Sequence, residues 1–150
     1  MQQPLQLNRL KIKSIITDAA CILAAGLFLY AALSKLHDYP AFKVQLGKSP
    51  FITGLAALLA WMLPTVEIIV SIALMITPVR PAALYASLFL LTLFTSYLAA
   101  MLMFSYYIPC SCGGVLSGLT WKEHIVFNGV FMVINLIAVF LTEAVSSKNT

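Results

Sequence analysis

Two of the three cysteines in this chain of 150 residues are separated by a single serine, in Ile108-Pro109-Cys110-Ser111-Cys112-Gly113-Gly114. Extended residues at i and i+2 point to opposite faces, so thiols at this spacing meet only where the backbone bends. Pro109 on one side and Gly113-Gly114 on the other are residue types that permit such a bend. A bent Cys-x-Cys can cycle between dithiol and disulfide, form a static bridge, or share a soft cation such as Cu(I). A plain turn filled by small residues stays open beside these. Zinc is not expected, since two thiolates do not complete its shell and neither His124 nor His37 stands at a spacing that recommends it. The third cysteine, Cys21, lies about 9 Å inside the opposite end of its helix at 1.5 Å per residue. It is out of reach of the pair and reads as a small buried hydrophobe.

The second chemical feature is a carboxylate, Glu67, three residues after Pro64 in an otherwise apolar run. A charge at that depth is costly, so it is expected to face other helices, protonated or hydrogen-bonded. Partners expected by depth are Asn135 in the last apolar run and Ser71, one turn along its own helix. Asn128 and Asn135 are seven apart and therefore share a helix face. A structural clasp and a proton-handling or quinone-proximal role are both open for Glu67. Lys35 closes the first apolar run and is expected to snorkel outward to the interface. His124, in Trp121-Lys122-Glu123-His124, opens the last helix; it could tune a nearby thiol, but a solvated helix start is the simpler expectation. The methionines are dispersed and read as packing or lipid-facing residues, not a copper ladder.

These residues must be positioned by membrane helices. The chain is 61% hydrophobic and 9% charged, with nine basic and five acidic side chains, against about 45–50% apolar and about 25% charged in soluble domains. Too little charge is present to coat a soluble particle. The net +4 is scattered along the chain, which disfavours a nucleic-acid binder. Three cysteines cannot staple a secreted disulfide scaffold. A span needs about 20 mostly apolar residues, and four runs qualify, about 15–34, 51–76, 82–108 and 124–141. The expectation is an all-α polytopic membrane protein, one bundle of four transmembrane helices over 15–141, with polar, frayed tails at 1–14 and 142–150. The first run, preceded by Arg9, Lys11 and Lys13 and followed by Ala32-Leu33-Ser34, has the outline of a signal peptide. It is longer than the usual core of about 7–15 residues.

Four spans put both termini on one side. With the N-terminus inside, Arg9, Lys11, Lys13, Arg80 and Lys148 are cytoplasmic, while Lys35, Lys43, Lys48 and Lys122 are outside. The first helix usually dominates orientation, and its three bases lie directly before the apolar run, which favours N-in and C-in. The segment Leu36 to Pro50 is too polar to span and is expected at the outer interface. Thr77-Pro78-Val79-Arg80-Pro81 is the tight turn between the second and third spans.

The chain resembles the four-helix membrane proteins of the MauE/DoxX type, in particular the MauE-like branch linked to methylamine utilisation. The resemblance rests on Leu33-Ser34-Lys35-Leu36 after the first helix, Pro64-Thr65-Val66-Glu67 within the second, Pro109-Cys110-Ser111-Cys112-Gly113-Gly114 after the third, and Trp121-Lys122-Glu123-His124 with Asn128 behind it. It covers about Ile15 to Leu141. It implies a redox-associated protein of the bacterial cytoplasmic (inner) membrane, concerned with maturing disulfide proteins outside it. Cys110 and Cys112 would be the thiol pair, with Lys35, Glu67 and Asn128 in supporting polar roles. The architecture is also similar to that of quinone-coupled disulfide formers, which use two communicating cysteine pairs. One pair plus a remote Cys21 does not fit quinone reduction by this chain alone. No cofactor is required for a dithiol relay with a thioredoxin-like partner, which needs only one pair.

The leading expectation is therefore an integral membrane thiol–disulfide component acting through Cys110 and Cys112, with Glu67, Lys35, Asn128, Asn135 and His124 in support. Its surroundings would be the lipid bilayer, an extracytoplasmic thioredoxin-like or disulfide-containing protein, and other membrane subunits. The alternatives are a non-catalytic scaffold subunit of a larger complex and a soft-metal binding protein.

Overall fold

The computed structural model describes residues 3–49, 52–104 and 121–146, which are almost wholly helical and contain no strand. Four helices are long and apolar enough to cross a membrane, over Lys11–His37, Thr53–Met75, Thr77–Phe104 and Lys122–Ala144. Their outward faces carry side chains such as Ile22, Trp61, Phe89, Val133 and Phe140, all exposed. Apolar side chains on both the inner and outer surfaces are what a helix bundle in lipid requires.

The first helix, α1, runs Gln3–His37. At 1.5 Å per residue it is about 52 Å long and outreaches a hydrocarbon core of about 30 Å. Its start precedes the Ile15 boundary that hydropathy predicts, so the tail is not frayed throughout. Pro4 falls in the first turn, where its missing N–H costs nothing, and no breaker follows it. A short helix, α2 (Tyr39–Gly47), comes next, capped by the Asp38 carboxylate, which accepts from the Ala41 N–H at 3.3 Å. Pro40 sits in its first turn. Phe42 and Leu46, four apart, share one face and bury against Ala56 and Ala60.

A 3-10 turn, Thr53–Leu55, leads into α3 (Ala56–Met75). Helix α4 (Arg80–Phe104) follows the Thr77–Val79 turn as expected, with Pro81 in its first turn. Helix α5 (Trp121–Ser146) runs past the expected end at 141. Around the bundle, α1 neighbours α3 and α5, and α4 neighbours both of these as well. The core between them is built largely of small residues, Ala20, Cys21, Ala24, Ala25, Ala83 and Ala138, with Phe28, Leu74 and Leu84 filling the space. Small side chains let membrane helices approach closely. Cys21 is fully buried there, as a small hydrophobe would be.

Cross-helix bonds fix the directions. Lys35 meets Glu67 and Ser71 meets Ala25, so α1 and α3 are antiparallel; Ser87 meets Asn135 and Tyr85 meets Glu143, so α4 and α5 are as well. Asp18 pairs with Arg80 across the bundle. The C-terminal ends of α1 and α4 thus share one end with the starts of α3 and α5. This is called the Lys35 end below, and the other the Arg80 end.

Candidate functional site

The site is built around a lysine that does not go where its position suggests. In a helix every Cα–Cβ bond leans toward the N-terminus. Lys35 is near the C-terminal end of α1, so its side chain leans back into the bundle. Glu67 is about 16 Å into α3, which enters from the same end, so its side chain leans outward to meet it. The two form an ion pair, Lys35 Nζ to Glu67 Oε1 at 2.6 Å, with the residues 8% and 1% exposed. The ammonium also donates to the carbonyl of Ala31 at 3.4 Å, one turn back along its own helix. The expected snorkelling of Lys35 is therefore reversed: with a carboxylate in reach, burial of the charge is matched by an opposite one.

Two aromatic rings complete the enclosure. Lys35 Nζ lies 5.6 Å from the centroid of Phe94 on α4 and 6.0 Å from that of Phe42 on α2, within the range of cation–π attraction. Three helices besides its own thus surround this one charge. Pro64 is buried three residues before Glu67 and removes the donor that would have bonded the Ala60 carbonyl. The Thr65 hydroxyl adds a bond to the next carbonyl, Trp61 O, at 2.9 Å, and α3 continues unbroken.

The partners expected for Glu67 are engaged elsewhere. Ser71 donates to Ala25 O at 2.8 Å, tying α3 to α1. Asn135 lies about midway along α5, where its Oδ1 accepts from Ser87 at 2.5 Å and its amide donates to Phe131 O at 2.9 Å. Ser87 also bonds to Leu84 O. Depth alone suggested Asn135, but that residue faces α4 and Glu67 faces α1. Asn128 is half-buried, two turns from Asn135 on the same face, as the seven-residue spacing predicts. His124 begins this stripe at the Lys35 end and is only 4% exposed, in contrast to the solvated position expected for it, while Lys122 and Glu123 beside it are exposed. At this end, too, the buried Ser49 hydroxyl lies 3.7 Å from the sulfur of Met101.

Cys110 and Cys112 fall outside the described residues, in the connection 105–120 that leaves α4 at Phe104 and enters α5 at Trp121. Both ends of that connection are at the Lys35 end. Among the described residues, no group of three or more His, Cys, Asp or Glu could hold a metal ion. Phe42 and Phe94 do not stand out as site residues in the sequence. The capping signature Asp38-Tyr39-Pro40 could have revealed α2, and the inward repeat Leu90, Phe94, Tyr97, Met101 could have marked the lining of α4.

No curated protein and no solved structure matches the chain significantly. A family model does, that of methylamine utilisation protein MauE, and it covers residues 13–141, which take in the second and third spans, nearly all of the first and last, and the Cys-x-Cys sequence. The chain is a multi-pass membrane protein and belongs to the MauE family.

Proposed function

We propose that the chain is an integral membrane thiol–disulfide component that passes electrons to or from a thioredoxin-like or maturing disulfide protein outside the bacterial cytoplasmic membrane. Cys110 and Cys112 would carry the exchange. A thiolate of one attacks the partner's disulfide, forming a mixed disulfide and releasing one partner thiolate, which takes up a proton. The second cysteine then attacks the mixed disulfide and frees the partner as a dithiol, so two electrons and two protons have moved. The reverse sequence oxidises the partner.

What supports this reading is that α4 ends and α5 begins at the end where Lys35 and Glu67 pair, so the sequence that joins them, with its Cys-x-Cys, starts and finishes there. With the N-terminus inside, that end faces the disulfide-tolerant compartment. Membership of a family described by methylamine utilisation supports a maturation role. No cofactor is needed for such a relay. Single Cys110→Ser and Cys112→Ser variants are expected to accumulate a covalent adduct with a partner, visible on non-reducing gels and absent from the double variant. Absence of an adduct from both, with full retention of function, would sink the proposal.

A scaffold reading is favoured by one observation: Lys35, Glu67, Ser71, Ser87 and Asn135 are all engaged in bonds that tie the structure together. It predicts that the double Cys→Ser variant stays functional while disruption of the Lys35–Glu67 pair does not.

A further inference from the structure

Glu67 is held by only one of its two oxygens. Oε1 takes the Lys35 ammonium, while Oε2 is buried and has no hydrogen-bond partner among the described residues. Among the described residues one other buried side-chain oxygen shares this condition, the hydroxyl of Tyr97. Tyr97 stands three residues beyond Phe94 on α4, one turn along the inward side, and Phe94 is the ring that flanks Lys35. A tyrosine on that turn leans back toward the level of Phe94. The two unpartnered oxygens stand on neighbouring helices, one on the ion pair itself and the other one turn beyond the ring that flanks it. Leaving a buried polar atom unmatched costs about 1–3 kcal/mol, and more for a charged group.

We propose that Glu67 Oε2 and Tyr97 OH are the two contacts of an internal site for a neutral hydroxyl group. Charge selects the ligand. Lys35 and Glu67 cancel, so a cation would add an uncompensated charge among apolar walls and an anion would face the carboxylate. A neutral O–H donates to Oε2 and accepts a hydrogen bond from the tyrosine hydroxyl, satisfying both atoms without adding charge. Two sources share this chemistry: water entering from the Lys35 end, and the hydroxyl of an apolar amphiphile entering from the bilayer. The site does not depend on the thiol reading, and its failure would leave that reading untouched.

The test uses the full chain in lipid nanodiscs. Radiolytic hydroxyl-radical labelling in oxygen-18 water would mark Tyr97 if water occupies the site, despite its buried hydroxyl, and the mark would be lost in Lys35→Met/Glu67→Leu. An amphiphile would leave Tyr97 unlabelled but would be extracted in near-equal amount to the protein and lost from the same variant. Tyr97→Phe, which keeps the ring and the packing, is expected to shift the infrared carboxylate band of Glu67 with either occupant. An unchanged band in Tyr97→Phe overturns the proposal, as does a Tyr97 that is unlabelled in a protein carrying no hydroxylated amphiphile.

Discussion

Lys35 and Glu67 approach to 2.6 Å between antiparallel helices, and neither side chain is more than 8% exposed. Breaking a buried pair from one side leaves the other charge uncompensated, which typically costs about 3–5 kcal/mol. Lys35→Met and Glu67→Leu are each expected to lose stability on that scale in denaturant titrations of detergent-solubilised protein. The double variant should lose much less than the two losses added together. Strict additivity would show that the pair makes no direct contact of consequence.

The mid-membrane bond between Ser87 and Asn135 is expected to contribute less. Interhelical polar bonds in membrane proteins average about 0.6 kcal/mol, with values to about 1.7. Ser87→Ala removes the donor and leaves the Asn135 amide bonded to Phe131 O. Its unfolding free energy should fall by about 0.5–1.5 kcal/mol. A loss as large as that of Lys35→Met would contradict the ranking of the two clasps.

At the Arg80 end, Arg80 donates to Asp18 at 2.5 Å and to the carbonyl of Leu74, near the end of α3, at 3.2 Å. Asp18 is about half exposed, so the pair itself is screened and worth about 1 kcal/mol or less. Arg80→Ala should therefore cost more than Asp18→Ala, because it also removes the cap on α3. The Asp18→Ala effect should shrink as salt is raised, and equal effects of the two substitutions would count against the capping role.

Cys21 is wholly buried among Ala20, Ala24 and Ala25, at a distance from the connection that carries the other cysteines. Cys21→Ala is expected to lower stability by about 1 kcal/mol and to leave thiol-dependent function unchanged. Loss of function in a folded Cys21→Ala protein would bring this residue into the chemistry.

The spans were legible from apolar run length because the bilayer imposes that length on every helix. Helix ends were less so. Between Gln3 and Ile15 the residues are polar enough to leave the membrane, and the one proline, Pro4, falls in the first turn where a helix tolerates it, so α1 starts early. Glu67 was recognisable as an inward residue from its charge alone. Its partner was not, because one sequence shows which residues are costly to bury but not which helices are neighbours. Lys35 looked like an interfacial anchor, and only the antiparallel meeting of α1 and α3 turns it inward. Likewise, His124 reads as part of a charged helix start, yet it is buried in the folded chain.

The redox state of Cys110 and Cys112 in growing cells tests the central claim most directly. Alkylation with a mass-adding maleimide in a Cys21→Ala background counts free thiols without interference from the buried cysteine. The account predicts both dithiol and disulfide forms, with the ratio shifting when the external compartment is made more reducing or oxidising. A pair locked in one state under all of these conditions, in a protein that still functions, would contradict it.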